Sequence, residues 1–491
     1  MSAHAGPART AGDATTWSAL VTAACDHSRP AARFGDLEWS GRELLDRAGG
    51  AAAWLDSLGH PRGRSVPALV ASSADALALV IGGAGSGHPV APLGVRSTAK
   101  ELAAVVAATG SPVLVAQPEF AELAQDVSAL AGCRTAVIPA LSPRDWSPRA
   151  EPQDVALVLH TSGTTGLPKP VPMPQWRLTA RARVNGGLCA LDADSFYGGS
   201  APFHHMSGLG NMSVALAAGA LITGLPGFSV DGWRLLRERG ITHTSMVPAM
   251  LEMLLAAGEA HHESLRVLQY GGAPILPATL RRVYQSMPGV RMLNMFGQTE
   301  GSPVSVLTPE EHREAVAGRT ELLGSVGKAA PGIELDIRAA GPDGAGEVYA
   351  RGDHLFAVDD DGWLATGDLG HIASDGYLYL AGRKNDMIIR GGENVHPLEV
   401  ETVLVSHPDV AEAAVIGVPD ARLGQTVVAF VVPAHPGAAP DPEKLRTHTR
   451  EQLSGYKVPV RWHTVDALPR NPNGKLLRRS LSEEGQVAQR P

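Results

Sequence analysis

The apolar run Val155-Ala156-Leu157-Val158-Leu159 is followed by His160-Thr161-Ser162-Gly163-Thr164-Thr165-Gly166-Leu167-Pro168-Lys169, and then by prolines at alternate positions, Pro170, Pro172 and Pro174. The order of these three pieces restricts the fold more than any other feature of the chain. The apolar run has the length of a buried strand. In the middle piece, seven of the nine residues from 161 to 169 are Gly, Ser, Thr or Lys. Glycines let the backbone approach an anion, hydroxyls and amides donate to it, and the lysine adds a point charge. In a P-loop the lysine is followed by Ser or Thr and opens a helix. Here Lys169 lies between Pro168 and Pro170. Alternating prolines withhold amide donors and hold their predecessors extended, so no helix starts there. The expected unit is a phosphate-holding loop between two extended segments.

A chain of 491 residues that is 44% apolar and 19% charged reads as a soluble globular protein of two or three domains. A net charge of −8 gives no electrostatic case for nucleic acid or an anionic membrane. Residues 1–16 lack the basic and apolar regions of a signal peptide and read as a disordered tail. No apolar run reaches the length of a membrane span, so no membrane insertion is expected. Cys25, Cys133 and Cys189 are scattered without ligand or disulfide spacing, which suits a cytoplasmic protein.

Periodicity predicts a helix over 44–58, a strand over 65–70, a helix opened by a capping box of Thr98 and Glu101, and a strand over 112–116. This alternation argues for a layered α/β domain with mostly parallel strands. The run Gly82-Gly83-Ala84-Gly85-Ser86-Gly87 precedes His88-Pro89, which cannot open a dinucleotide-binding helix; a tight helix-to-strand connection is expected instead. A helix over 177–188 should follow the phosphate loop. The adjacent His204 and His205 suit a base, a pocket wall or a hydrogen-bonded core residue better than a metal, since no third ligand is evident.

Gly271-Gly272-Ala273-Pro274 could admit a flat ligand or simply turn. In Asn294-Met295-Phe296-Gly297-Gln298-Thr299-Glu300, an aromatic, a hydroxyl and a carboxylate would suit a purine, a phosphate and a divalent cation. Asp368, beside Gly367, could accept from a ribose diol or cap a turn. It precedes an expected hairpin around Ser374-Asp375-Gly376. After a boundary near 382–386, a helix over 397–405, strands over 412–418 and 427–432, a helix over 444–453 and a strand over 460–465 form a compact α/β module. It ends in Leu468-Pro469-Arg470-Asn471-Pro472-Asn473-Gly474-Lys475, whose turn residues place one lysine at a tip.

Together these stretches resemble the acyl-adenylate-forming superfamily of acyl- and aryl-CoA synthetases, peptide-synthetase adenylation domains and beetle luciferases. The resemblance covers most of the chain and rests on residues 161–169, 296–300, 366–368, 382–393 and 469–475. It implies an α/β fold with a large, multi-subdomain N-terminal adenylating domain of layered sheets and helices over 17–384 and a small mobile α/β lid over 385–491. It also implies two half-reactions: the acid attacks the α-phosphate of Mg-ATP and releases pyrophosphate, and the acyl-adenylate then passes to a thiol, usually coenzyme A.

The implied roles follow residue by residue. Thr161, Ser162, Gly163, Thr164, Thr165, Gly166 and Lys169 would hold the β- and γ-phosphates. Thr299 would contact the α-phosphate and Glu300 would bind Mg2+. Phe296 with Gly271, Gly272, Ala273 and Pro274 would enclose adenine, beside Asn294 and Gly297, while Asp368 and Arg383 would hold the ribose. Lys475 would bridge the carboxylate and α-phosphate oxygens as charge builds up. Rotation of the lid about Asn385 would then bring Gly391, Gly392 and Glu393 to line a pantetheine tunnel. The family more often has Asp or Lys at that pivot, but Asn tolerates unusual backbone angles.

Peptide-synthetase domains usually carry an aspartate after the phenylalanine at position 203, to pair with an α-ammonium. His204 stands there instead. A buried ammonium without an anion is costly, so an acid lacking an α-amino group is favoured. His204 resembles the family's pocket histidine, and His205, Met246, Val247, Tyr270 and Ser302 are the expected walls. Coenzyme A is the leading acceptor. A carrier-protein phosphopantetheine in trans or a partner enzyme that performs thiolation are the alternatives, and a regulator that has lost turnover is a reading from another class.

Overall fold

Four sheets organise the chain in the computed structural model, which describes residues 15–25, 27–161, 168–273, 275, 277–341, 344–435, 437–470 and 476–481. The first sheet has six strands, in the spatial order Arg134–Val137, Val113–Ala116, Val66–Leu69, Val90–Pro92, Val155–Thr161 and Lys169–Pro174. All neighbours are parallel except the last pair. The proline-rich strand lies at the edge, as its chemistry requires: Pro170, Pro172 and Pro174 share one parity, while the intervening Val171 and Met173 are buried. Thr161 pairs with Lys169 at the mouth of the expected phosphate loop. Extended segments therefore flank that loop on both sides. Ser162, Gly163, Thr164, Thr165 and Gly166 themselves lie outside the described residues, as do Pro274 and Lys475.

The second sheet has nine strands and carries a parallel centre, Arg291–Gln298, Val267–Tyr270, His243–Met246, Phe196–Gly199, Leu221–Gly224 and Pro30–Phe34, with antiparallel strands at both edges. A four-stranded antiparallel sheet follows, Glu334–Arg338, Gly346–Arg351, Trp363–Ile372 and Leu378–Arg383. The last sheet has five strands and belongs to the C-terminal module, with the helices Pro397–Val405 and Pro442–Gln452. The α/β class expected from the sequence is the one that forms, with a large N-terminal domain and a small C-terminal one.

Capping chemistry sets several helix starts. Thr98 and Glu101 form the expected capping box before Ala99–Thr109. Ser40 with Glu43, and Thr308 with Glu311, do the same for Gly41–Ser57 and Pro309–Ala317. Thr15 and Thr16, placed in the expected tail, belong to the folded part. Thr16 Oγ1 accepts from Ala19 N at 3.2 Å, and Thr15 O accepts from Thr179 Oγ1 at 3.0 Å.

The glycine run differs from its expected role. Gly82, Gly83 and Gly85 lie inside the helix Ala74–Ser86, and only Gly87, at φ 83°, makes the turn. A Cβ on Gly82 would sit 2.4 Å from Ala48 O, and one on Gly85 would sit 2.4 Å from the Trp146 ring. Close packing against Ala48, His88 and Trp146 outweighs the intrinsic cost of helical glycine, about 1 kcal/mol each. The helix after the phosphate loop, Gln175–Leu188, begins two residues earlier than expected. Gln175 is fully buried, its Oε1 accepts from Ser18 N at 3.1 Å and its Nε2 donates to Ala84 O at 2.8 Å, so tertiary bonds extend the helix at its start.

Candidate active site

Gly271, Gly272, Asn294, Phe296, Thr299 and Glu300 gather at the carboxyl ends of neighbouring strands of the nine-stranded sheet, which an apolar cluster joins to the four-stranded sheet that carries Asp368 and Arg383. At the carboxyl ends of Val267–Tyr270 and Arg291–Gln298, Gly271 and Gly272 turn away from the sheet. A Cβ on Gly271 would lie 2.3 Å from Met295 O, so this position admits only glycine without displacing the strand that carries Asn294 and Phe296. Gly272 needs its freedom for a different reason, a φ of 81°, and beside it stands Val247, 3.7 Å from where a Cβ would be.

Arg291–Gln298 pairs with Gly301–Leu307 through a hairpin whose two turn residues are Thr299 and Glu300. Phe296 pairs with Ser305, yet Gln298 pairs with Gly301, so the single residue Gly297 faces Ser302, Pro303 and Val304 on the second strand. A bulge of this kind re-aims side chains at the end of a ladder. Gly297 accommodates it, since a Cβ there would be 2.9 Å from Ser302 Cα. The main chain at Glu300 is fixed from outside: its carbonyl accepts from Phe356 N at 2.7 Å and from Ala357 N at 3.2 Å. Its carboxylate forms no ion pair among the described residues, and no group of three metal-ligating side chains occurs among them. A single half-exposed carboxylate fits a cation that keeps water and phosphate oxygens as its other ligands, the usual habit of Mg2+.

A second bulge presents Asp368. Glu347 pairs with Leu369 and Tyr349 with Ala365, so Thr366, Gly367 and Asp368 face the single residue Val348. Gly367 adopts φ 70°, and buried Thr366 donates to Val348 O at 2.8 Å while accepting from Asp368 N at 3.1 Å. The Asp368 side chain is 8% exposed, and Arg383, its cross-strand partner, meets it with Nε at 2.8 Å from Oδ1. The nearby guanidinium offsets the cost of holding a carboxylate out of water. Phe296 and Leu364 share a small apolar cluster with Val304 and Leu355, which joins this sheet to the Thr299–Glu300 hairpin.

The histidines form a third group. His204 and His205 lie with ring centroids 3.9 Å apart. The His204 ring covers Gly94, where a Cβ would be 2.9 Å from Nε2. Burial first, then His205, His160 and Arg96, push His204 down to about 3, and burial pushes His160 and His205 down to about 4. All three imidazoles are neutral at neutral pH. Of the other expected acyl walls, Ser302 is buried in its bulge, while Met246 and Tyr270 send their side chains into the core with Trp233, Leu251 and Leu280. The Tyr270 hydroxyl donates to His312 Nε2 at 2.7 Å, and His312 Nδ1 donates to Thr308 O at 2.7 Å.

In the C-terminal module, Arg390 pairs with Glu393 across Gly391 and Gly392, whose φ values of 62° and 89° make the two-residue hairpin that such a pair of glycines permits. Asn385 lies in the short helical turn Lys384–Asp386, which Lys384 Nζ ties to Glu347 Oε2 at 2.7 Å. Residues that carried no role in the sequence now stand at the site: His160, Gly94, Arg177 and Arg181. A cation pair four apart on a helix was the visible signal for the arginines; Gly94 carried none.

Two family models match, AMP-binding enzyme over residues 21–358 and the AMP-binding enzyme C-terminal domain over 399–475. The chain belongs to the AMP-binding enzyme family. A fatty acid–[acyl-carrier-protein] ligase, ScoC, of Streptomyces coeruleorubidus is 34% identical over 87% of this chain and 88% of its own length. An indoleacetate–CoA ligase of Aromatoleum aromaticum is 36% identical over 68% of each. Among solved structures, the o-succinylbenzoate CoA synthetase of Bacillus subtilis in complex with its acyl-adenylate intermediate superposes with a TM-score of 0.82 at 27% identity, over 95% of this chain and 97% of that one. This member of the AMP-binding family thus matches both the main and the C-terminal family models, and its likeness to the Bacillus enzyme runs over 95% of the chain.

Proposed function

We propose that the chain activates a carboxylic acid lacking an α-amino group, consuming ATP, forming an acyl-adenylate with release of pyrophosphate and transferring the acyl group to coenzyme A. The observation that most supports this reading is that three separately built features stand on two sheets joined by one apolar cluster: the anchored Thr299-Glu300 hairpin, the glycine approach at 271, and Asp368 raised on a bulge and paired with Arg383.

In this reading Asp368 and Arg383 hold the ribose, Phe296 and residues 271–274 flank adenine, and Thr161 to Lys169 grip the β- and γ-phosphates. Thr299 orients the α-phosphate. Glu300 would hold Mg2+, which supplies charge neutralisation for the departing pyrophosphate. His204, kept neutral by burial, lines the acyl pocket without placing a second cation beside the reacting carboxylate. The lid begins at Asn385, delivers Lys475 for the first step, and offers Gly391, Gly392 and Glu393 to the thiol in the second. A carrier-protein phosphopantetheine is the second reading, favoured by the carrier-protein ligase among the relatives. No helix among the described residues is long and apolar enough to cross a membrane. The three cysteines are free thiols, and the cytoplasm is the proposed location.

Acid-dependent ATP–pyrophosphate exchange across an acid library, followed by mass spectrometry with coenzyme A or holo-carrier as acceptor, tests the reading. Lys475→Ala should lower exchange about a hundredfold to a thousandfold yet spare thiolation of a supplied acyl-adenylate. Equal loss in both steps would remove Lys475 from its role, and no exchange with any acid would overturn the enzymatic reading.

A further inference from the structure

The helix Gln175–Leu188 points two arginines, Arg177 and Arg181, at the site from behind. Arg181 is fully buried, and its guanidinium spans two separate segments. Nε donates to Ser302 O at 3.1 Å, Nη2 to Asn211 Oδ1 at 2.7 Å and Nη1 to Gly210 O. One turn earlier, Arg177 Nη1 donates to Leu355 O; Leu355 bridges Gly301, and its neighbours Phe356 and Ala357 donate to Glu300 O. These acceptors are all uncharged, and among the described residues no carboxylate pairs with Arg181.

A buried cation without an anion is expensive, and an apolar side chain would fill the same volume at lower cost. What an apolar chain cannot supply is a rigid fork of donors reaching three acceptors at once, and a lysine ammonium cannot span them either. The two segments it joins are functionally distinct. Ser302 belongs to the bulge that directly follows Thr299 and Glu300. Gly210 and Asn211 close the π-helical turn Met206–Gly210, which directly follows His204 and His205. Gly208 is held in that turn by lack of space, since a Cβ there would be 2.0 Å from Pro202 O. The fork therefore sets the distance between the His204 segment and the phosphate-facing hairpin.

We propose that Arg181 is a positioning residue that fixes the acyl pocket against the nucleotide site, and so governs which acids present their carboxylate correctly to the α-phosphate. This deepens the proposed function and rests on its assignment of His204 to the acyl pocket and of Thr299 and Glu300 to the phosphates.

The test compares Arg181→Lys and Asn211→Ala with Arg183→Lys, a change of an exposed arginine on the same helix. Exchange is measured with indoleacetate, 2-succinylbenzoate and decanoate. Arg181→Lys should raise the acid KM about tenfold or more, the loss of one or two hydrogen bonds, and compress the preference among the three acids, while the ATP KM moves less than about threefold. Asn211→Ala should shift the acid KM in the same direction, and the double variant should add less than the product of the two. Amide exchange by mass spectrometry should show faster exchange in residues 206–211 and 297–304 together in Arg181→Lys, and in neither for Arg183→Lys. Equal rises in both KM values, or a lowered melting temperature with the acid preference intact, would overturn the proposal. If Arg181→Lys does not fold, Asn211→Ala decides by the same criteria. If none of the three acids supports exchange in the wild type, faster amide exchange confined to residues 175–188 overturns the proposal. A wild type inactive with every acid of the wider library overturns the proposed function instead.

Discussion

Replacing Gly271 by alanine tests the nucleotide wall most directly. The new Cβ would lie 2.3 Å from Met295 O and 3.3 Å from Met295 C, against 3.4 Å for ordinary contact, so something must move by about 1.1 Å (3.4 − 2.3). The atoms that clash are backbone, and both belong to paired strands: Tyr270 is in register with Asn294. Neither side can yield by rotating a flexible chain. Overpacking of this kind costs about 1–3 kcal/mol. The displaced strand carries Asn294 and Phe296 and runs straight into Thr299 and Glu300, so the cost should fall on nucleotide binding. At tenfold per 1.4 kcal/mol, the ATP KM should rise about 5- to 150-fold. The assay is pyrophosphate exchange at saturating acid with varied ATP, alongside a thermal melt. Gly258→Asn is the control: its φ of 69° is one that Asn tolerates and nothing lies within 4 Å of the new Cβ, so the ATP KM should stay within about threefold. A folded Gly271→Ala with an ATP KM within about twofold of wild type would refute the reasoning.

Three further outcomes are expected. Asp368→Asn keeps the shape of the bulge but removes the charge, so the ATP KM should rise about 10- to 100-fold, the loss of charge-assisted hydrogen bonds, and the preference for ATP over 2′-deoxy-ATP should shrink; an unchanged preference would take Asp368 off the ribose. Glu300→Gln should raise the Mg2+ concentration for half-maximal exchange about tenfold or more, whereas an unaltered Mg2+ titration would exclude a metal at that carboxylate. Burial pushes His312 from 6.5 down to about 4, so the unfolded chain binds a proton that the folded one refuses between those values. Stability is then fully present above about pH 6.5 and is lost as pH falls toward 4, by about 2 kcal/mol at pH 5 from this residue alone. Denaturation of His312→Gln at pH 7 and pH 5 should show a smaller difference than wild type; an equal difference would place the loss elsewhere.

Much of this architecture was legible because its determinants are local. A capping box needs only Thr98 and Glu101 three apart, and the structure forms it. The helix Pro397–Val405 matches its expected limits, with proline in the first turn. Alternating prolines after Lys169 could only be an edge strand or no strand, and they form an edge strand. Where local preference and packing disagree, packing prevails. Gly82, Gly83 and Gly85 read as a connection, yet they are helical, and Ala48 O, His88 O and the Trp146 ring come closer to them than any Cβ permits. Tyr270 and Met246 sat at strand ends where a pocket wall was expected, but strand alternation turns their side chains to the helical layer, where Tyr270 meets His312.

The amino-acid sequence by itself determined the order of the candidate groups: a Gly-, Ser- and Thr-rich stretch between extended segments, an aromatic–hydroxyl–carboxylate turn, an aspartate on a β-rich segment and a lysine after a run of Pro and Asn. Each lies within a few consecutive residues, where turn preferences and side-chain chemistry act without help from distant parts of the chain. Only the tertiary structure decided how these pieces face one another. Two bulges aim Ser302 and Asp368, Gly94 makes room for the His204 ring, and buried Arg181 bonds to Ser302, 121 positions away along the chain. Such contacts depend on backbone approach and on donors that must be satisfied away from water, and neither leaves a periodic trace in the sequence.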